Sequence, residues 1–178
     1  KDRLHTTLDA GLQHIVQSIL DHRLKDLKNR GAKNGAVLIV DHQRDEVLAW
    51  VNSGACLEED SASWIDAVTT RRQPGSTLKP LLYALALEKG WTAATLVDDS
   101  PLSESVGRGL HAYHNYSRIH YGLIRVREAL GNSLNIPAVR AIQLVGVNKF
   151  LDCLQELGIR SLQEHPDYYG DGLALGNG

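Results

Sequence analysis

The segment RRQPGSTLKPLLYALALEKG, residues 71–90, constrains this chain more than any other, because a rigid turn leads directly into a strongly apolar helix. Pro74 fixes its own backbone and Gly75 permits a tight turn, so the helix is predicted to begin sharply at Ser76 and to run to the end of the segment. Lys79 follows one helical turn later on the same face. The segment therefore predicts a helix that carries a hydroxyl and an amine side by side at its start.

Ser76 and Lys79 together form a candidate nucleophile and base. A serine hydroxyl is a poor nucleophile near neutral pH and needs a neighbouring group that takes its proton. Burial against apolar side chains lowers the pKa of a lysine and so provides its neutral form. The apolar residues expected around Lys79 on this helix are Leu78, Leu81, Leu82 and Leu85. Because unpaired N–H groups at a helix start also favour negative charge on a tetrahedral intermediate, the arrangement suits acyl transfer.

A second pair of polar residues, Ser133 and Asn135, lies in the sequence GNSLN. Residues 123–146 contain two helical patterns that break between residues 131 and 135, with Pro137 in the first turn of the second helix. A hydroxyl and an amide in such a break can point into a cleft. The alternative is an ordinary turn in which Asn135 caps the following helix, and Ser-x-x-Lys by itself also occurs by chance.

The N-terminal part of the chain predicts an α+β fold. Residues 8–27 have apolar side chains at helical spacing, with Asp9 as a candidate N-cap and Gly31 as the stop. Two β runs, residues 36–40 and 46–51, are joined by a polar turn and predict a hairpin.

The middle of the chain looks irregular. Residues 97–122 are rich in Ser, Gly, Asp and His, show no apolar period, and predict a long loop that is either functional or mobile. An amphipathic helix is predicted over residues 148–159. A lone hairpin needs more strands or a helix to pack on, so further strands of the sheet are expected beyond Gly178.

The charge balance disfavours some partner classes. The chain has 19 Lys and Arg against 21 Asp and Glu, so nucleic acid or an anionic membrane surface has no electrostatic support as a partner. No run approaches the roughly 20 apolar residues of a membrane span, so the chain as given is expected to be soluble. Cys56 and Cys153 lie far apart and form no C-x-x-C motif, which argues against a zinc knuckle or a redox pair.

Other polar residues of the chain have simpler interpretations. His111, His114 and His120 lie in one polar segment, but no cysteine or carboxylate pattern completes a tetrahedral site, so no metal is expected. Arg71 and Arg72 precede the Pro-Gly turn. Exposed loop charge is favoured there over a role in attracting a carboxylate-bearing peptide.

Long blocks of the chain resemble one protein family. Ser-x-x-Lys followed by Ser-x-Asn belongs to the motif set of penicillin-binding proteins and class A β-lactamases. The resemblance is to the transpeptidase domain of class A (bifunctional) penicillin-binding proteins, most of all the 1C type. It rests on the blocks RRQPGSTLKPLLYALALEKG, HNYSRIHYGLIRVREALGNSLNIPAVRAIQLVGVNKFLDCLQELGI and YYGDGLALGNG. TLDAGLQ and GAVLIVDHQRDEVLAWVNSG are similar to the first helix and strands of that domain, so the resemblance runs from end to end.

The resemblance implies a fold and a set of roles. The fold is the α+β transpeptidase fold shared with serine β-lactamases, present here as a helical lobe plus the first strands of an antiparallel sheet. Ser76 would attack the D-Ala-D-Ala bond of a peptidoglycan stem peptide and would be acylated by β-lactam antibiotics. Lys79 would be the base, Ser133 would relay the proton to the leaving amine, and Asn135 would bind the substrate. No cofactor is implied.

One family motif, Lys-Thr-Gly, does not occur in the sequence. In the family it follows the block YGDGLALGNG, so it is expected beyond Gly178, and a glycosyltransferase domain is expected before Lys1. Residues 1–178 are therefore interpreted as the N-terminal part of a transpeptidase domain, without the strand that carries the third motif. The resemblance places the membrane-anchored parent at the periplasmic face of the bacterial inner membrane, with cell-wall assembly proteins as further candidate partners.

Other functions share these motifs. A serine β-lactamase or a β-lactam sensor has the same fold class, but a class A β-lactamase needs a deacylating glutamate that no local pattern singles out here. A non-catalytic, partner-binding module of the same fold is disfavoured because Ser76, Lys79, Ser133 and Asn135 are all present.

Overall fold

The computed structural model describes residues 4–54, 65–106 and 109–177. The chain forms two compact units, Lys1–Arg72 and Gln73–Gly178. Each unit combines helix with antiparallel strand pairs, which confirms the predicted α+β class. In the part of the chain that the structure describes, no helix is both long enough and apolar enough to cross a membrane. Cys56 lies outside the described residues, and Cys153 is half-buried.

Helix α1, Ala10–Leu27, is the long helix of the first unit. Asp9 is its N-cap, and the Asp9 carboxylate accepts the backbone N–H of Leu12 at 2.8 Å. A 3-10 turn, Lys28–Arg30, continues the helix, and Gly31 ends it with a φ of 79° in the left-handed region. The predicted N-cap and stop of this helix are therefore confirmed.

Strands β1 (Asn34–Asp41) and β2 (Glu46–Gly54) form an antiparallel hairpin, which confirms the predicted one. Helix α1 packs against both strands. The buried apolar residues at this contact are Val16 of the helix with Ala49 and Val51 of β2.

The second unit begins with the turn that precedes helix α2. Gly75–Leu78 forms a 3-10 turn, and α2 covers Lys79–Glu88. Pro80 has no N–H to donate to the carbonyl of Ser76, and this carbonyl accepts the N–H of Lys79 in the tighter 3-10 pattern. The helix predicted from Ser76 therefore begins as a 3-10 turn, and regular α-helix starts only at Lys79.

The long loop predicted over residues 97–122 is wrong in part, because this region contains strands. The two antiparallel pairs are β3 (Leu96–Asp98) with β6 (Leu123–Arg125) and β4 (Leu102–Val106) with β5 (Gly109–Tyr113). The side chains described on β4 and β5 are exposed or half-buried except that of Tyr113. Because the described side chains form no common buried face on either strand, the sequence of this region lacks the sustained apolar alternation that marks a half-buried strand.

Helices make up most of the remaining chain, and their bounds are α3 (Val126–Gly131), α4 (Asn135–Val145), α5 (Val147–Glu156), the short α6 (Pro166–Tyr169) and a final 3-10 turn, Gly170–Leu175. The predicted break between residues 131 and 135 and the predicted helix over residues 148–159 are confirmed. Helices α2 to α5 and the final 3-10 turn enclose one core, whose fully buried members include Leu82, Ala86, Ile142, Phe150, Leu154 and Leu173. This core holds the start of α2 against the start of α4.

Candidate active site

Lys79 is the buried centre of the site, with only 1% of the residue exposed. Its Nζ donates hydrogen bonds to the carbonyl oxygen of Ser133 at 2.7 Å, to Ser133 Oγ at 3.3 Å and to Asn135 Oδ1 at 2.7 Å. The structure therefore brings together three of the four residues that the sequence singled out, although they come from two distant segments.

Burial changes the acid–base chemistry of Lys79. Removal from water disfavours the ammonium form and lowers the pKa of Lys79 from 10.5 to about 8. The leucines predicted to surround it, Leu78, Leu82 and Leu85, are buried, and Leu81 is half-buried. With a pKa near 8, about one lysine in ten is neutral at pH 7 and can accept a proton.

Ser133 lies in an unusual backbone conformation at the end of α3. Its φ is 52°, in the left-handed region where glycine is favoured. The N–H of Ser133 bonds to the carbonyl of Leu130 at 3.0 Å and that of Leu134 to the carbonyl of Ala129 at 2.9 Å. This pattern is the Schellman motif that ends helices, usually with glycine at the position occupied here by Ser133. The motif turns both the carbonyl and the hydroxyl of Ser133 towards Lys79.

Asn135 is the first residue of α4 and contacts the site through its side chain. Besides accepting from Lys79, the amide donates through Nδ2 to the carbonyl of His114 at 2.8 Å. The N-cap of α4 is Leu134, and no side-chain cap is formed there. The alternative in which Asn135 only caps the helix is therefore wrong, because its side chain bridges Lys79 and the carbonyl of His114.

Ser76 is exposed, in the 3-10 turn that leads to buried Lys79. The Thr77 hydroxyl donates to the carbonyl of Pro74 at 2.7 Å, which fixes the turn in front of the helix. Among the described residues, the hydrogen-bond acceptors of the Lys79 Nζ are in Ser133 and Asn135, and Ser76 Oγ is not one of them. Hydrogen bonds between catalytic groups are often long or poorly aligned before substrate binds. The lack of a hydrogen bond from Lys79 to Ser76 is therefore compatible with Ser76 as the candidate nucleophile.

Sequence reasoning missed two buried residues that adjoin the site, Asp99 and Asn115. Asp99 is fully buried and Asn115 is 2% exposed. Asn115 Nδ2 donates to both carboxylate oxygens of Asp99 at 2.8 Å. Its Oδ1 accepts the backbone N–H of Asn135 at 2.9 Å. Both residues fall in the region predicted as a loop, where no periodicity marks a buried position.

The three histidines of that region have separate surroundings. His111 stacks edge-on against Tyr113 with 4.7 Å between ring centroids, His114 presents its carbonyl to Asn135, and His120 Nδ1 lies 3.1 Å from the carbonyl oxygen of Asp99. Within residues 4–54, 65–106 and 109–177, no group of three His, Cys, Asp or Glu could hold a metal ion.

The two arginines before the Pro-Gly turn belong to the first unit. Arg72 donates through Nη2 to the carbonyl of Ala67 and through Nε to that of Thr70 at 3.4 Å. Arg71 is exposed. These contacts agree with the interpretation as loop charge.

Comparison with known proteins identifies the family. Residues 35–168 match the family model described as the penicillin binding protein transpeptidase domain. The chain is 34% identical to Penicillin-binding protein 1C of Escherichia coli (strain K12) over 89% of this chain and 20% of that protein. It is 32% identical to Penicillin-binding protein 1A/1B of Bacillus subtilis (strain 168) over 88% of this chain and 16% of that protein. The chain thus spans a fifth or less of the length of these two relatives.

Solved structures agree in fold. The chain superposes on penicillin-binding protein 1A from Haemophilus influenzae with a TM-score of 0.66 and 33% identity, over 82% of this chain and 21% of that one. The penicillin-binding protein PonA1 from Mycobacterium tuberculosis gives a TM-score of 0.75 over 98% of this chain and 45% of that one, and at 23% identity it supports the fold alone. These matches confirm both the predicted fold and the resemblance stated from the sequence. This chain therefore belongs to the family of penicillin-binding protein transpeptidase domains, as found in class A penicillin-binding proteins.

Proposed function

We propose that the parent protein is a serine-type D,D-transpeptidase that cross-links peptidoglycan stem peptides and is acylated by β-lactams. The observation that carries the proposal is the environment of Lys79, the first residue of the helix that follows Ser76. Lys79 is buried, its pKa is lowered to about 8, and its Nζ donates hydrogen bonds to Ser133 and Asn135. A lysine of this kind can act as a base near neutral pH, unlike an exposed one.

The proposed acylation step uses these positions. Ser76 Oγ attacks the carbonyl carbon of the penultimate D-alanine, and its proton passes to neutral Lys79. The tetrahedral intermediate then collapses, the peptide C–N bond breaks, and the leaving amine takes a proton through Ser133. The free terminal D-alanine departs, and the peptide remains as an ester of Ser76.

The second step regenerates the serine. An amine of a neighbouring stem peptide attacks the ester carbonyl and gives up a proton to Lys79. The C–O bond to Ser76 breaks, the new amide is the cross-link, and the Ser76 hydroxyl recovers its proton. A β-lactam follows the first step only, because the opened ring keeps the amine tethered to the acyl group.

Asn135 is the proposed contact for the side-chain amide of the stem peptide or the β-lactam. Its amide is fixed at both ends, by Lys79 on Oδ1 and by the carbonyl of His114 on Nδ2. Such preorganisation lowers the entropy cost of orienting the substrate over Ser76. Ser133 as a residue is exposed, and its hydroxyl is the proposed relay between Lys79 and a bound ligand.

The cellular setting is part of the same proposal. The membrane-anchored parent acts at the periplasmic face of the bacterial inner membrane, since its substrate is cell-wall peptide outside the cytoplasm. Cell-wall assembly proteins are proposed as further partners, and the mechanism through Ser76 and Lys79 needs no cofactor. β-Lactam hydrolysis is the less favoured function, because the matching relatives described above carry the names of penicillin-binding proteins.

The test is the intact mass of the chain after incubation with a fluorescent penicillin. We expect one adduct on the unaltered chain and on Ser103→Ala, a control at an exposed serine of β4, and none on Ser76→Ala. The same assay on a longer chain that includes the Lys-Thr-Gly strand shows whether that strand is needed. An adduct on Ser76→Ala, or no adduct on either length of unaltered chain, would contradict the proposal.

A further inference from the structure

Asp99 and Asn115 form a buried polar pair with a single geometry. The Asn115 amide must turn Nδ2 towards Asp99, because an ionised carboxylate only accepts hydrogen bonds. Asp99 Oδ2 also accepts the backbone N–H of Tyr121 at 2.9 Å, and Asn115 Nδ2 also donates to the carbonyl of Ile119 at 2.9 Å. With both amide hydrogens engaged, the orientation of Oδ1 is fixed as well.

The fixed oxygen of Asn115 points at the start of α4. It accepts the N–H of Asn135 at 2.9 Å and approaches that of Ile136 at 3.4 Å. These are the first two amides of the helix, which have no partner within the helix itself. Asn115 therefore acts as the N-terminal cap of α4 from a distant segment, in place of Leu134, whose side chain cannot do so.

The same segment also holds the Asn135 side chain, through the carbonyl of His114. Asn115 thus fixes the backbone N–H of Asn135, and the preceding residue, His114, fixes its Nδ2. The remaining polar atom of the side chain, Oδ1, accepts from Lys79 Nζ. We propose that Asp99 and Asn115 are positioning residues for acylation, which hold Asn135 where it contacts both Lys79 and the substrate. This inference rests on the proposed function.

The cost of the pair supports a role beyond packing. A buried carboxylate and amide must be desolvated, and an apolar pair of similar volume commonly stabilises a core as well or better. Here the pair instead fixes one atom, the Asn135 nitrogen, next to the candidate base. A shift of about 1 Å in such a group lowers rates by about 100-fold.

The variants exploit the direction of these hydrogen bonds. Asn115→Asp places two carboxylates against each other, and Asp99→Asn replaces one of the two oxygens that accept from Asn115 Nδ2 with an amide nitrogen, so each single change weakens the pair. The double change Asp99→Asn with Asn115→Asp restores a donor facing an acceptor and keeps an oxygen for the Asn135 N–H. The carboxylate at position 115 then faces the carbonyl of Ile119, which loses its donor, so the recovery is expected to be partial.

The first unit offers a matched control, Asn52. Its Nδ2 donates to Asp66 Oδ1 at 2.8 Å and its Oδ1 accepts the N–H of Ala67 at 2.9 Å, which is the same aspartate–asparagine–amide pattern. Asn52→Asp therefore disturbs a half-buried pair of the same hydrogen-bond pattern, whose hydrogen bonds stay within the first unit.

Two measurements on the 178-residue chain test the inference. We expect the rate of acylation by fluorescent penicillin to fall about 100-fold in either single variant, to recover at least tenfold in the double variant, and to be unchanged in Asn52→Asp. Amide hydrogen exchange at Asn135 is expected to accelerate at least tenfold in the single variants and to slow again in the double variant. Exchange at Ile142, in the buried middle of α4, shows whether a variant is still folded.

The outcomes separate the two proposals. The positioning role would be overturned if the single variants were acylated at the rate of the unaltered chain, or if the double variant were acylated no faster than either single variant. Both outcomes would leave the transpeptidase proposal intact. If the unaltered chain forms no adduct, amide exchange at Asn135 alone decides the inference, and an exchange rate that is unchanged in both single variants overturns it. If a single variant unfolds, the double variant decides by the same two readouts.

Discussion

Gly176 lies directly against Gly75 in the second unit. A β-carbon built on Gly176 would come 2.5 Å from the Gly75 Cα and would also collide with the Gly75 nitrogen and oxygen. The φ of Gly176 is 75°, so its conformation also favours glycine. The segment after α6 therefore supports the Pro-Gly turn that carries Ser76, through backbone contact that leaves no room for a side chain.

Gly176→Ala is expected to displace the turn and to lower the rate of acylation by fluorescent penicillin about 100-fold or more. Gly158→Ala is the matched control, because Gly158 has a φ of 91° but its added β-carbon would meet nothing within 4 Å. Both variants carry the same kind of backbone strain, about 1 kcal/mol. Equal acylation rates in the two variants would refute the supporting role of Gly176.

The acylation rate is expected to depend on the protonation of Lys79. Because its pKa is lowered to about 8, the neutral fraction rises about tenfold for each pH unit below that value and levels off above it. The rate constant for β-lactam acylation should follow the same curve between pH 5.5 and pH 9.5. A rate independent of pH across this range would exclude neutral Lys79 as the base.

The same pKa predicts how stability changes with pH. The folded pKa of Lys79 lies below its ordinary value of 10.5, so the unfolded chain binds more protons between about pH 8 and 10.5. The contribution of Lys79 to the free energy of unfolding therefore rises with pH in this window and is lost as pH falls through about 8. Urea denaturation at several pH values should show this rise relative to Lys79→Met, and parallel curves for the two chains would contradict it.

Ser133 is expected to show a conflict between stability and activity. Its left-handed φ of 52° costs a non-glycine residue about 1 kcal/mol, so Ser133→Gly should raise the free energy of unfolding by about that amount. Ser133→Ala keeps the strained backbone and should give no such gain. Both variants lose the hydroxyl and should acylate more slowly. Thermal melts and the penicillin assay on the same samples test this, and a Ser133→Gly chain less stable than Ser133→Ala would contradict it.

Gln13 stabilises the edge of β2 in the first unit. Its side chain accepts the N–H of Trp50 at 2.9 Å and donates to the Trp50 carbonyl at 2.7 Å, as a neighbouring strand would. Gln13→Ala should lower the free energy of unfolding by about 1–3 kcal/mol, because both backbone groups lose their partner. His14→Ala, at the next and exposed residue of the helix, should have little effect. Equal urea midpoints for the two variants would show that the contact contributes nothing.

Much of the molecule follows from local sequence. Asp9 and Gly31 mark the limits of the first helical segment because capping and left-handed turns depend on a few neighbouring residues. The hairpin and the break before Asn135 follow from periodicity and from Pro137 in the same way. The family resemblance then implied the proposed roles of Ser76 and Lys79, because the motif Ser-x-x-Lys alone also occurs by chance.

The strands in residues 97–122 escaped the sequence analysis because their side chains have no common buried face. Nothing local indicates that Asp99 and Asn115 are the buried members of a polar segment, since burial there depends on α4 packing beside them. Likewise, the left-handed residue of the break is Ser133, although Gly131 stands two positions earlier and is the better local candidate.

The sequence by itself determined the residue types of the site and most of the helices, because these depend on chemistry and spacing within a few residues. Only the tertiary structure decided that Lys79 is buried with its ammonium on Ser133 and Asn135, and that Asp99 and Asn115 hold Asn135 in place. Those contacts join residues 16 to 56 positions apart, and their energies depend on the removal of water, which no local pattern encodes.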